Sequence, residues 1–154
     1  MVLEVLKNYL QTSVLFSVWC CVLLTGCDDQ FETYPITGTV KFPDGSPLPL
    51  GQIYFETRDK RYGLGVSAMG RIHEDGSFTV GTYQRDQGGA PPATYVVYVR
   101  GAKQGGRVGT SVNERSSGEW IIHRRHRSAA TSDLRAEITA EGPNHFDLIV
   151  ERPE

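Results

Sequence analysis

The sequence predicts an all-β domain, a seven-stranded Greek-key β-sandwich, preceded by a helical N-terminal segment. Three observations favour this fold class. The chain of 154 residues contains 17 glycines and 8 prolines, which is typical of frequent turns. The segments between those turns are rich in Val, Ile, Thr, Tyr and Phe, the residues that favour strands. Apolar side chains recur there at every second position, so one face of each strand is expected to be buried.

Each predicted strand is bounded by turn-forming residues. The first places Tyr34, Ile36, Val40 and Phe42 on one face and ends at the turn 43–47. Asp-Gly between two such segments is a strong hairpin signal, and it occurs before the strand that contains Phe78. The seven predicted strands lie around residues 34–42, 53–55, 66–73, 78–80, 95–99, 134–138 and 146–150.

Residues 101–132 do not fit this pattern. They are rich in Gly, Ser and Arg and show no sustained hydrophobic period, which predicts a long irregular loop. We expect Trp120, Ile121 and Ile122 to anchor the middle of this loop against the sandwich.

The N-terminal segment has the features of a signal peptide. Residues 14–24 are apolar and uncharged, too short to span a bilayer but typical of the hydrophobic region of such a peptide. Leu24-Thr25-Gly26-Cys27 follows directly and resembles the lipobox of bacterial lipoproteins. The resemblance implies cleavage between Gly26 and Cys27 and attachment of acyl chains to the Cys27 thiol.

These features divide the chain into a signal peptide (1–26), a lipidated tether (27–33) and a β-sandwich domain (34–152). The three cysteines are Cys20, Cys21 and Cys27, so only Cys27 remains after cleavage. A disulfide framework or a zinc site built on cysteine pairs is therefore not expected.

The chain is expected to be exported and membrane-anchored. Asp28, directly after the cysteine, favours the periplasmic face of the inner membrane, with the outer membrane as the alternative.

Several segments of the domain together resemble a known family. Their order matches the patterns V-x-G-x-V, D-G-x-P-L, D-G-x-F and P-x-x-Y-x-V. The matching segments are Tyr34–Val40, Asp44–Leu48, Glu74–Phe78 and Pro92–Val97, with Thr131–Leu134 and Gly142–Asp147 as further landmarks. They are similar to bacterial lipoproteins with a carboxypeptidase regulatory-like, or transthyretin-like, domain. The resemblance covers about residues 34–150 and implies an Ig-like or prealbumin-like sandwich with a non-catalytic role.

The most concentrated group of charged residues is His123-Arg124-Arg125-His126-Arg127. Two histidines three residues apart suggest a metal site, but three arginines repel a cation and the motif contains no acidic residue, so no metal is expected. A basic loop that contacts anionic lipid or acidic glycan is a second interpretation, and a solvated polar loop is a third. The net charge of −2 gives no reason to expect nucleic-acid binding.

The sequence thus predicts a non-catalytic, lipid-anchored protein of the cell envelope, without a cofactor, whose sandwich has a structural or protein-interaction role. An alternative is a carbohydrate- or peptidoglycan-binding module that uses Tyr54, Tyr62, Tyr83 or Tyr98 as aromatic platforms. A small hydrolase is the third hypothesis. It has less support, because the serines lack a nucleophile-elbow motif and the last four residues differ from the Tyr-Arg-Gly-Ser of transthyretin-like hydrolases.

Overall fold

The computed structural model describes residues 31–63, 65–82, 88–105 and 118–154, and β-strands are the main regular structure among them. Two short 3-10 helices, Lys60–Tyr62 and Arg124–Arg127, accompany the strands. The strands are β1 (Ile36–Lys41), β2 (Gly51–Thr57), β3 (Val66–Ile72), β4 (Ser77–Thr82), β5 (Thr94–Arg100), β6 (Lys103–Gln104), β7 (Glu119–Trp120), β8 (Arg135–Glu137) and β9 (Asn144–Ile149).

Seven of these strands form one mixed sheet in the order β8-β5-β2-β3-β4-β1-β9. All neighbours are antiparallel except β1 and β9, which run parallel with Ile36 opposite Asn144. The sheet curls until it nearly closes into a barrel. The two edge strands of the sheet are β8 and β9, and a side chain links their ends. The Asn144 amide at the start of β9 contacts the backbone of Thr139, just after β8: Oδ1 accepts from Thr139 N at 3.0 Å, and Nδ2 donates to Thr139 O at 3.1 Å.

The prediction of an all-β domain is confirmed, and each of the seven predicted strands corresponds to one of β1–β5, β8 and β9. The predicted alternation is also present: Ile53 and Phe55 are fully buried, whereas Tyr54 between them is only partly buried. The strands are joined in one curled sheet, so the finer assignment to a Greek-key sandwich stays a prediction. The predicted signal segment, residues 1–26, lies outside the described residues.

The core fills the inner face of the curled sheet. Phe55 of β2 lies at its centre, with ring centroids 6.1 Å from Phe78, 6.4 Å from Tyr95 and 6.1 Å from Phe146. These rings come from strands far apart in the sheet order, so the curl itself creates the core. Gly38 of β1 is required here, because a Cβ at this position would lie 2.6 Å from the Phe78 ring and 2.1 Å from the Phe146 carbonyl oxygen.

The strand directions give the sheet two distinct ends. At the entry end, the chain enters β1 through Phe31–Pro35, and β2, β4 and β8 finish. At the far end, β1, β3, β5 and β9 finish. At the entry end, the described connecting residues are 58–63 and 65, 88–93, and 138–143. At the far end they are 42–50, 73–76, 101–105 and 118–134, together with residues 150–154 after β9.

The segment predicted as an irregular loop contains ordered structure. Lys103 pairs with Trp120 and Gln104 with Glu119, so β6 and β7 form a separate two-stranded sheet. Ile122 is fully buried in the core, and Trp120 and Ile121 pack against it, as the sequence suggested. Because of this anchoring, the described parts of 101–132 are tied to the far end of the sheet. Sequence periodicity missed the β6–β7 pair because two-residue strands are too short to show a period.

Candidate functional site

The predicted basic segment His123–Arg127 lies at the far end, where it forms a 3-10 helix. The His123 side chain caps this helix by accepting from Arg125 N at 3.3 Å. Arg125 pairs with Glu151 at 2.6 Å and lies 3.8 Å from Asp133. The segment therefore has two acidic neighbours that its own sequence lacks, and these offset much of its positive charge.

His126 faces inward and is only 1% exposed. Its Nε2 accepts from Arg125 Nε at 3.2 Å, and its Nδ1 lies 3.4 Å from Asp133 Oδ1, without the geometry of a hydrogen bond. Burial lowers the pKa of His126 below its usual value of 6.5, and this effect outweighs the opposing one of the nearby Asp133 carboxylate. The imidazole is therefore neutral at pH 7 and serves as a packed part of the domain.

Arg127 is also used internally. Its guanidinium lies 4.4 Å from the centre of the Trp120 ring, and its Nε donates to the carbonyl of Ile122 at 3.0 Å. The Lys103 ammonium lies 4.9 Å from the same ring. Contacts between a cation and an aromatic face are stabilising, so Arg127 holds β7 to the basic segment, whereas Lys103 strengthens the β6–β7 pair itself. Within the segment, Arg124 is the exposed residue.

The tyrosines proposed as carbohydrate platforms do not share one surface. Tyr54 and Tyr98 stack on the outer face of the sheet, with ring centroids 5.1 Å apart and planes 7° apart. Tyr62 lies at the entry end, where its hydroxyl donates to Pro92 O at 2.8 Å. Tyr83 lies outside the described residues. Two of the four tyrosines therefore form a pair, and the third belongs to a different part of the domain.

The outer face around the tyrosine pair combines aromatic, apolar and basic side chains. Across the sheet, Tyr98, Tyr54 and Met69 are in register, and Met69 is 49% exposed. The adjacent row contains Arg100, Gln52 and Arg71. The Arg100 guanidinium lies 5.3 Å from the centre of each tyrosine ring. Sequence alternation had indicated that Tyr54 faces outward, but it does not reveal which residues of other strands lie beside it.

A groove of about 780 Å³ lies at the entry end. Arg58, Asp59 and Arg61 line one side of it, and Glu137 and Glu141 line the other. Asp59 pairs with Arg61 at 2.7 Å. The Asp59 carboxylate also accepts from the Arg61 backbone N–H, and these contacts lower the pKa of Asp59.

An aromatic pair of exposed Phe31 and partly buried Tyr62 lies at the same end as the groove. Phe31 is 44% exposed and contacts Tyr62 edge-on, with ring centroids 4.8 Å apart. The two rings meet where the chain enters β1, and Phe31 is the described residue nearest in sequence to Cys27.

The predicted lipobox, Leu24, Thr25, Gly26 and Cys27, lies outside the described residues. Within the described ranges, no group of three or more His, Cys, Asp and Glu side chains is placed to hold a metal ion. The same part of the chain contains no helix long and apolar enough to cross a membrane. No family model matches the sequence, and no curated protein and no solved structure matches it significantly.

Proposed function

We propose that this chain is a lipid-anchored, non-catalytic protein of the cell envelope whose β-domain has a structural or protein-interaction role. The observation that carries the proposal is the position of Cys27. It ends a lipobox-like motif, it is the last cysteine of the chain, and only three residues separate it from Phe31, where the β-domain begins. Two acyl chains on one residue are sufficient for stable anchoring, because each buried CH₂ contributes about 0.8 kcal/mol.

The geometry of the domain supports the carboxypeptidase regulatory-like assignment. Both Asp-Gly motifs form tight turns, in which Asp44 accepts from Ser46 N and Asp75 accepts from Ser77 N, each at 2.9 Å. In the P-x-x-Y-x-V motif, Tyr95 is fully buried at the start of its strand and donates to Pro91 O at 2.9 Å. We therefore propose that the curled sheet is a prealbumin-like Greek-key sandwich.

Mass spectrometry of membrane-extracted protein tests the anchor. Wild type should begin at Cys27 and carry diacylglycerol with its acyl chains, whereas Cys27→Ala should keep residues 1–26 and lack lipid. Cys21→Ala is a matched control, because this cysteine lies in the segment that is removed and its loss should leave lipidation unchanged. Wild-type protein that retains Met1 without lipid would overturn the proposal.

Carbohydrate binding is a second candidate, and the outer face around Tyr54 favours it. The partly buried Tyr54 ring provides the stacking surface, since Tyr98 beside it is only 4% exposed. Arg71 and Arg100 in the neighbouring row provide hydrogen-bond donors for hydroxyl or carboxylate groups. The test is binding of the mature chain to a glycan panel that includes peptidoglycan fragments. Tyr54→Ala should abolish binding, whereas Tyr62→Ala at the entry end should preserve it. Absence of binding by the wild type would reject this candidate.

A further inference from the structure

The entry end carries an unusual combination of side chains for a solvent-exposed edge. Phe31 exposes nearly half of its surface against Tyr62, while Arg58 and Lys60 beside them have no ion-pair partner among the described residues. Arg61, the third cation, is already paired with Asp59. Exposed aromatic rings next to unpaired basic side chains are typical of surfaces that contact the interfacial layer of a membrane.

The length of the tether restricts what this surface can contact. Three residues separate Cys27 from Phe31, so the two Cα atoms are four steps apart and at most about 14 Å from each other in a fully extended chain. With Cys27 anchored in the lipid, Phe31 remains within that distance of the headgroups. The far end lies the length of β1 away, about 20 Å for six residues in a strand.

Resting on the lipid anchor proposed above, we infer that the entry end is the membrane-facing surface of the domain. Phe31 and Tyr62 lie in the headgroup layer, and Arg58 and Lys60 bind lipid phosphates. Glu137 and Glu141 on the other side of the groove complement the ammonium group of the same lipids, so the occupant is a layer of phospholipids that carry both charges. The basic segment His123–Arg127 then points away from the bilayer, which excludes it as the lipid contact.

Label accessibility on the lipidated protein tests this orientation. Because Cys27 is blocked by lipid and no cysteine follows it, an introduced cysteine provides a unique thiol. A fluorophore at Ala140→Cys, which lines the entry-end groove, is compared with one at Gln104→Cys at the far end. In vesicles of phosphatidylethanolamine and phosphatidylglycerol with a headgroup nitroxide lipid, position 140 should be quenched strongly and position 104 only weakly. Equal quenching, or stronger quenching at 104, would overturn the orientation.

A charge variant tests the phosphate contacts. Arg58→Gln combined with Lys60→Gln should reduce quenching at position 140 at least about twofold, because basic side chains near the surface are attracted to anionic headgroups and this variant loses two of them. Arg71→Gln with Arg124→Gln removes the same charge elsewhere and should have no effect. An unchanged signal in the first variant would refute the phosphate contacts. Failure of the anchor itself is recognised separately. Mass spectrometry shows whether each variant carries lipid on Cys27, and an unlipidated protein does not remain with the vesicles.

Discussion

The Nε–H of Arg125 donates to Nε2 of His126 across 3.2 Å, and this bond defines the tautomer of a buried imidazole. With Nε2 as the acceptor, the ring proton of neutral His126 lies on Nδ1, which faces Asp133 Oδ1 at 3.4 Å. Arg125 in turn pairs with Glu151, just after β9. The basic segment is therefore part of the packing between the end of β9 and the segment that leads to β8.

The stability of the domain should depend on the protonation of His126. Burial lowers its pKa in the folded protein below the 6.5 of the unfolded chain, so the unfolded chain binds this proton at a higher pH. The contribution to the free energy of unfolding is complete above pH 6.5. It should decrease as the pH falls from 6.5 towards the lower pKa of the folded state. Urea unfolding between about pH 8 and pH 5 measures this dependence.

Two histidine variants isolate the contribution of His126. His126→Gln should flatten the pH dependence in that window, whereas His73→Gln, at an exposed position in the β3–β4 turn, should retain the wild-type slope. A wild-type slope in His126→Gln would show that another group is responsible.

The amide of Asn144 should contribute measurably to closure of the sheet. Asn144 is 7% exposed, and Asn144→Ala removes the donor and the acceptor that pair with the backbone of Thr139. We expect the free energy of unfolding to fall by about 1–3 kcal/mol, because two hydrogen bonds are lost and each contributes about 0.5–1.5 kcal/mol. His145→Ala, at the exposed neighbouring position, should change it by less than about 0.5 kcal/mol. Equal effects of the two variants in denaturant titrations would contradict this role.

Gly38 should not tolerate even one added methyl group. The Cβ of Gly38→Ala would lie 2.1 Å from the Phe146 carbonyl oxygen, so the parallel β1–β9 pair must shift. Destabilisation of about 3 kcal/mol, the upper end of the usual range for an overpacked core, is expected in thermal unfolding. Gly142→Ala is the control, since its nearest neighbour is 3.8 Å away. A wild-type melting temperature for Gly38→Ala would show that β1 and β9 are not packed as described.

Tyr54 and Arg100 should be energetically coupled through the tyrosine stack. Arg100 lies over both rings, so Tyr54→Ala removes a stacked ring and one of the two aromatic faces that the guanidinium contacts. A double-mutant cycle with Arg100→Ala should give a coupling of about 0.5–1 kcal/mol. The pair Tyr54 and Arg71, which shares no such contact, provides the reference cycle. Equal couplings in the two cycles would argue against the cation–aromatic contact.

The sequence by itself determined the seven strands of the main sheet and their inward faces. Alternation of apolar side chains is a local property with the period of a strand, so Ile53 and Phe55 could be placed in the core without knowledge of any partner. The Asp-Gly turns at 44–45 and 75–76 were equally accessible, because their conformation depends on adjacent residues.

Only the tertiary structure decided which strands are neighbours. The parallel pairing of β1 with β9 joins residues 108 positions apart, and no local pattern encodes that register. The same holds for the candidate surfaces: Glu151 neutralises Arg125, and Tyr98 stacks on Tyr54, because the curled sheet brings distant segments together. Side-chain alternation specifies which residues of a strand face inward or outward. A binding surface also depends on the residues of the neighbouring strands, and long-range packing determines which strands those are.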